Sequence, residues 1–250
     1  MNVQIYPDSP ALGLAAAQKA AAILNQAIRE RGRARLVLST GMSQFDTLSA
    51  LLDEAVDWSK VELFHLDEYI GLPVSHPASF RRYLLDRFIS KINLKSVHLV
   101  DGEGDVAAKM AQLKTDITEA PIDLGLIGIG ENAHIAFNDP PADFTVDEPY
   151  IIVNLDENCK KQQVGEGWFP DTAHVPSQAI SMSVRQILRC TQIISCVPHA
   201  VKATAIRKTL EQDVNNLVPA TILKTHPEVW LFLDEASASG LSPDLRTRFS

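Results

Sequence analysis

With 250 residues, 46% of them hydrophobic, the chain can supply a sizeable core, and no Ser/Gly/Pro-rich linker or block of charge cuts it in two. A formal charge of −8 and a pI near 5.3 argue against nucleic acid or an anionic membrane surface as the main partner; a few local cations and helix N-termini would still suffice for an anionic substrate. Cys159, Cys190 and Cys196 lack metal-ligand spacing, the N-terminus has no basic region before an apolar stretch, and no apolar run reaches ~18 residues, so a soluble cytoplasmic protein is expected.

Residues 3–6 carry a short strand signal, and Asp8, Ser9 and Pro10 supply a cap and a first-turn proline for an alanine-rich helix to about Arg31. Leu36, Val37 and Leu38 predict a buried strand. It runs through a small-residue loop, residues 39–43, into a helix marked by Phe45, Leu48, Leu51 and Leu52. A junction of this kind presents backbone N–H groups and hydroxyls to an anion, although an ordinary N-cap and turn reads as well from these residues alone. It is no Walker loop, because no Gly-Lys-Ser/Thr follows. Residues 61–66 predict a third strand delivering Asp67, Glu68 and Tyr69 to its carboxyl end. Side chains alternate across a strand, so at most one of the two carboxylates is expected to face a cleft while the other caps or pairs. A turn at Gly71, Leu72 and Pro73 precedes a helix over about 78–89, then a strand at 97–100 and a solvated helix at 105–118.

The stretch PIDLGLIGIGENAHIAFNDPP, residues 121–141, organises the rest. Its apolar run, 122–129, reads as a central parallel strand buried on both faces, and in open α/β sheets ligands bind beyond the carboxyl ends of such strands. Gly130, Glu131, Asn132, His134 and Asp139 therefore fall where chemistry is usually done. Gly128, Gly130 and Ala133 fit a dinucleotide fingerprint, but Pro140 and Pro141 leave no room for the helix that fingerprint requires. His134 stands among turn residues instead of on an apolar face, which favours a functional histidine over a core one.

Beyond it, residues 150–155 predict a strand, and the polar segment 156–176 looks more like a mobile lid than a packed element. Residues 193–197 read as a buried strand and 200–211 as a helix with Lys202 near its N-terminus, against the helix dipole, which points to an anionic partner for that lysine. A last strand at 229–233 precedes a polar tail, 237–250. The alternation predicts one α/β domain over 1–250: an open, mostly parallel, Rossmann-like sheet with helices on both faces.

Gathered together, these segments resemble the glucosamine-6-phosphate deaminase (isomerase) family. LSTGMSQFDTL looks like its phosphate loop, HLDEYIGLPVSHPASF its Asp-Glu-Tyr segment, and GIGENAHIAFNDP its catalytic loop. VPSQAISMSV resembles the segment after its lid, and AVKATAIRKTLE its phosphate-lysine helix; the motifs stand in the family's order. The resemblance implies isomerisation and deamination of a hexosamine 6-phosphate. Asp67 would move the proton between C1 and C2, and His134, supported by Asp139, would open the sugar ring. Thr40, Gly41, Ser43 and Lys202 would hold the 6-phosphate. A histidine titrating near neutrality suits a ring opening that needs a proton delivered to one oxygen and removed from another. No metal or organic cofactor is implied, and none of the seven histidines shows a ligand cluster in sequence. A homo-oligomer is left open.

The chain departs from the family pattern at Asn132, where aspartate is usual, at Ala133, where glycine is, and at Asp139, where glutamate is. Ser39 replaces a usual proline, and Lys160 or Lys161 stands in for a lid arginine that has no clear counterpart. An asparagine at 132 can orient His134 by a hydrogen bond but lends its cation no charge, so ring opening is expected to be slower or assisted by another acid such as Glu131. These changes point to a divergent branch, with the galactosamine epimer as another candidate substrate. Two alternatives stand beside this reading. A 6-phosphogluconolactonase-like enzyme is disfavoured by Tyr69, where that sister family has arginine. A non-catalytic sugar-phosphate sensor is disfavoured by the intact Asp67.

Overall fold

A computed structural model describes residues 1–249; Ser250, the end of the expected tail, lies outside the described residues. Strands β1 (Asn2–Tyr6), β2 (Ala34–Leu38), β3 (Val61–His65), β5 (Ser96–His98), β6 (Leu124–Ile127), β9 (Gln192–Val197) and β10 (Val229–Asp234) form a seven-stranded sheet in the order β1-β10-β9-β6-β2-β3-β5. Every pairing in it is parallel. Helices α1 (Ser9–Arg31), α2 (Phe45–Leu52) and α3 (Phe80–Arg87) cover one face, and α4 (Val106–Thr118), α6 (Val184–Ile187) and α7 (Ala203–Glu211) the other. Strand residues divide between the two cores by alternation: Leu36, Leu38, Leu63 and Leu126 pack on the first side, and Val37, Phe64 and Ile127 on the second.

The α1 helix shows how local sequence sets the element. Asp8 accepts the Ala11 N–H at 2.9 Å, Pro10 occupies the first turn, and Gly32 at φ 74° ends the helix with its N–H on Ile28 O. Its alanines lie against the sheet, and a Cβ at Gly13 would come 2.7 Å from the Asp46 backbone, so only glycine lets α1 and α2 approach this closely.

The third strand delivers Asp67, Glu68 and Tyr69 to its carboxyl end as expected, but one unforeseen feature shapes the site. Asp67, Glu68 and Tyr69 do not extend β3; they form β4 (Asp67–Tyr69) of a separate antiparallel sheet with β7 (Tyr150–Asn154) and β8 (Gln178–Met182), in the order β4-β8-β7. The switch occurs at Leu66, whose N–H still bonds Leu38 O of the large sheet at 3.1 Å while its carbonyl accepts the Met182 N–H at 2.9 Å. Other differences are smaller. The strand expected at 97–100 is Ser96–His98, and that at 122–129 is Leu124–Ile127. The lid segment contains α5 (Glu157–Gly165), which buries Cys159 and Gln163. The tail buries Ser237, Ala238 and Leu241 and ends in α8 (Pro243–Phe249). A 3-10 stretch, Pro219–Thr225, had no counterpart in the sequence reading. Among the described residues no helix is long and apolar enough to cross a membrane.

Candidate active site

A cavity of about 420 Å³ opens at the carboxyl ends of the central strands, and Thr40, Gly41, Ser43, Asp67, His134 and Lys202 all line it. Asn132 and Asp139, also singled out in the sequence, stand behind His134 and do not line the cavity. Six residues spread over more than 160 positions are thus brought to one crevice by the loops after β2, β6 and β9 and by strand β4.

At one end is the loop that follows β2. Gly41, at φ 105°, takes a backbone conformation open to glycine, and the chain then winds into a 3-10 turn, Met42–Gln44, whose first N–H groups have no preceding carbonyl to bond. The loop is tied down by the Tyr83 hydroxyl, donating to Gly41 O at 2.9 Å, and by the buried Gln44 amide, donating to Cys196 O of β9 at 3.0 Å. Lys202 reaches the cavity from a 3-10 turn, Ala200–Lys202, that precedes α7. His199 launches that turn from φ 81°, ψ 143°, a conformation costly for any residue but glycine, and is held there by Asp234, whose carboxylate accepts its N–H at 3.0 and 3.1 Å. Lys202 is 6% exposed and forms no ion pair among the described residues. Burial pulls its ammonium below the ordinary lysine range, while Glu166 and Glu131 oppose that shift.

At the other end the paired carboxylates separate as strand alternation requires. Glu68 is fully buried and accepts the N–H groups of Tyr69 (2.9 Å), Phe80 (3.2 Å) and Arg81 (2.8 Å) and the Ser79 hydroxyl (2.7 Å), besides pairing with the Arg81 guanidinium at 3.3 Å. It fastens the start of α3. Asp67 faces the cavity. Burial, with Glu68 next to it, pushes its carboxyl well above the ordinary carboxylate range, which makes it a stronger base once ionised.

The His134 loop is held between these ends. A Cβ at Gly130 would lie 2.3 Å from the His134 ring, so a larger residue there would displace the imidazole. Ala133 and Ala136 take φ 69° and 50°, and Ala133 is the position where the resemblance leads one to expect glycine. Asn138 secures the loop by donating to Ile135 O (2.8 Å) and Met182 O (2.9 Å). The asparagine at 132 acts differently from expectation: it accepts the His134 backbone N–H at 3.1 Å and donates to Asp139 Oδ1 at 2.9 Å, so it orients the carboxylate, not the imidazole. Asp139 Oδ1 lies 3.0 Å from His134 Nδ1, off the line of a straight hydrogen bond. Burial alone would raise the Asp139 carboxyl, but His134 beside it and the Asn132 amide hold it below the ordinary range. Its charge is therefore available to steady an imidazolium.

Residues 156–176 form the cavity's outer wall through Gln162, Gln163, Gly165 and Glu166, with Gln162 Oε1 accepting the Glu131 N–H at 3.1 Å. Neither lysine expected to replace a lid arginine lines the cavity: Lys160 pairs with Glu157 at 2.9 Å, and Lys161 borders a neighbouring depression. Lys202 is the only lysine or arginine among the described lining residues. Sequence reading missed Glu166, Gln44 and Asp234. The last was findable as an acid directly ending a strand, whereas nothing local marks the other two. A metal-ligand cluster absent from the sequence spacing also appears, because His134, Asp139 and Cys159 bring ligand atoms within 4.8 Å of one another.

The profile of the family described as glucosamine-6-phosphate isomerases/6-phosphogluconolactonase matches residues 7–231. A glucosamine-6-phosphate deaminase of Staphylococcus epidermidis is 36% identical over 221 residues, 84% of this chain and 89% of its own length. One of Thermoanaerobacter pseudethanolicus is 34% identical over 235 residues, 91% of each chain. Among solved structures, a monomeric glucosamine-6-phosphate deaminase superposes with a TM-score of 0.87 at 28% identity, covering 96% of this chain and 100% of that one. A 6-phosphogluconolactonase of Shewanella baltica, at 21% identity and a TM-score of 0.75 over 94% of this chain and 97% of its own, shares the fold.

Proposed function

This chain belongs to the family of glucosamine-6-phosphate isomerases and 6-phosphogluconolactonases, and we propose that it converts a hexosamine 6-phosphate, glucosamine 6-phosphate or its galactosamine epimer, into a ketohexose 6-phosphate and ammonia, without a cofactor. The observation that carries this reading is the single cavity in which a lone buried lysine and a small-residue loop lie with a buried carboxylate and a carboxylate-backed histidine. Lys202, the Thr40 and Ser43 hydroxyls and the backbone around Gly41 bind the phosphate. His134 takes the proton from O1 and returns one to the ring oxygen, with the Asp139 charge stabilising the imidazolium between the two events. Asp67 removes the C2 proton of the open-chain aldehyde and delivers it to C1, while a proton of the C2 ammonium passes to O1, leaving an iminium at C2. Water then adds at C2 and ammonia leaves from it, so the carbon skeleton exits as the ketose.

The segment 156–176 serves as a lid that excludes bulk water during proton transfer, a role supported by its contacts with both Glu131 and the cavity. Three buried, unpaired cysteines support a reducing, cytoplasmic setting. Ammonia release from glucosamine and galactosamine 6-phosphates tests the reaction; silence on both, or hydrolysis of 6-phosphogluconolactone instead, overturns it.

A further inference from the structure

The geometry points to a regulatory site for a borderline-soft divalent cation of the Zn²⁺ class, formed by His134 Nδ1, an Asp139 carboxylate oxygen and the Cys159 thiolate, through which the metal pins the lid to the catalytic loop. These donor atoms come from two elements that no covalent or strand contact joins here, the loop after β6 and the first turn of α5, yet all lie within 4.8 Å of one another. In a tetrahedral zinc site, bonds of about 2.0–2.3 Å place ligand atoms roughly 3–4 Å apart, so a side-chain adjustment of about 1 Å closes the present cluster around an ion. Nitrogen, oxygen and sulfur donors in one set select zinc or cobalt over magnesium or calcium.

Two independent features show that the cluster has unused capacity. The Asp139 side chain is 8% exposed, and its Oδ2, like His134 Nδ1, is buried without a hydrogen-bond partner among the described residues. The Cys159 thiol also sits among carboxylates, with Asp139, Asp156 and Asp67 gathered around it. Such a concentration of negative groups favours a dication that neutralises it. On binding, the thiol proton leaves to solvent, the Cys159 sulfur and the neutral His134 ring donate to the metal, and a fourth position remains for water. The imidazole can then no longer exchange protons with a sugar, and α5 can no longer swing away. This consequence for turnover rests on the function proposed above; the binding does not.

The test uses the whole chain, freed of metal. Stoichiometric Co²⁺ is expected to produce a near-ultraviolet thiolate-to-cobalt absorption band, absent in Cys159→Ser and in Cys159→Ala and unaffected by excess Mg²⁺. Zn²⁺ is expected to suppress ammonia release reversibly, with recovery on chelation. Both Cys159 variants should keep the uninhibited rate while requiring about tenfold or more Zn²⁺, the least that loss of a ligand should cost. A band that survives in a folded Cys159 variant, or no band in the native chain, overturns the site. If the band appears and depends on Cys159 while no hexosamine phosphate is turned over, the metal site stands and the deaminase reading falls.

Discussion

The two ends of the cavity are made of different material. The proposed anion end is the fixed edge of the parallel sheet, where the 39–44 loop and the 199–202 turn are clamped by Gln44, Tyr83 and Asp234. The proposed proton-transfer end comes from elsewhere: Asp67 from the small antiparallel sheet and His134 from a loop with two alanines in the left-handed region. Recognition of a phosphate needs only charge and N–H groups in a constant place. Chemistry on a sugar that opens and changes hybridisation needs bases mounted on parts with independent freedom. Each end also keeps a buried, unneutralised group, Lys202 at one and Asp67 at the other, so on the proposed roles function costs stability at both.

The largest effect expected is from Asp67→Asn. Turnover should fall by roughly 10³-fold, within the range for a general base, while KM changes little because the anion end is untouched. In the native enzyme the acid limb of kcat/KM should lie above the ordinary carboxylate range, as the raised Asp67 pKa requires. The sign for stability is opposite to that for activity. A carboxyl whose folded pKa exceeds its unfolded one holds its proton more tightly in the fold, so stability is lost as pH rises through that interval. Asp67→Asn should therefore raise Tm at neutral pH; a drop in Tm would place the carboxylate in a structural role. Its neighbour gives the contrast. Glu68→Ala leaves Arg81 short of a partner and four donors unanswered, and should cost about 3 kcal/mol in urea unfolding.

At the anion end, Lys202→Ala should raise KM by roughly 10- to 100-fold, the worth of about 1.5–3 kcal/mol for a charged hydrogen bond, with kcat nearly constant. The same variant should unfold at higher temperature at neutral pH. Its folded pKa is lowered, so the fold binds the proton less well, and the cost is carried at every pH below the lysine range. A kcat loss comparable to that of Asp67→Asn would erase the division of labour between the ends.

Most of this division was legible in residue order. The strand, small-residue loop and helix at 36–52, and the carboxylate pair whose members had to face opposite ways, followed from alternation and turn chemistry, which are local. The transfer of Asp67 to a second sheet was not legible, because Leu66 is apolar either way and the partner that captures its carbonyl, Met182, is far along the chain. Helix α5 escaped because it buries only Cys159 and Gln163, one of them polar, which leaves no apolar period to read. Asn132 looked like a partner for His134 through proximity in sequence, whereas its amide spans to Asp139, a link that only the turned loop creates.

The smallest effect tests whether the anion end is rigid at an energetic cost. His199 is held at φ 81°, ψ 143° by its N–H bonds to Asp234, and side-chain-bearing residues rarely persist there unless the surroundings enforce it. His199→Gly removes that strain, about 1–3 kcal/mol, but adds backbone freedom to the unfolded chain, about 0.5–1 kcal/mol against it. A net stabilisation of about 1 kcal/mol is expected in urea unfolding, accompanied by a few-fold rise in KM as the turn carrying Lys202 loosens. Unchanged KM with the stability gain would mean that Asp234 alone fixes the turn, and that the strained histidine contributes nothing to holding the phosphate.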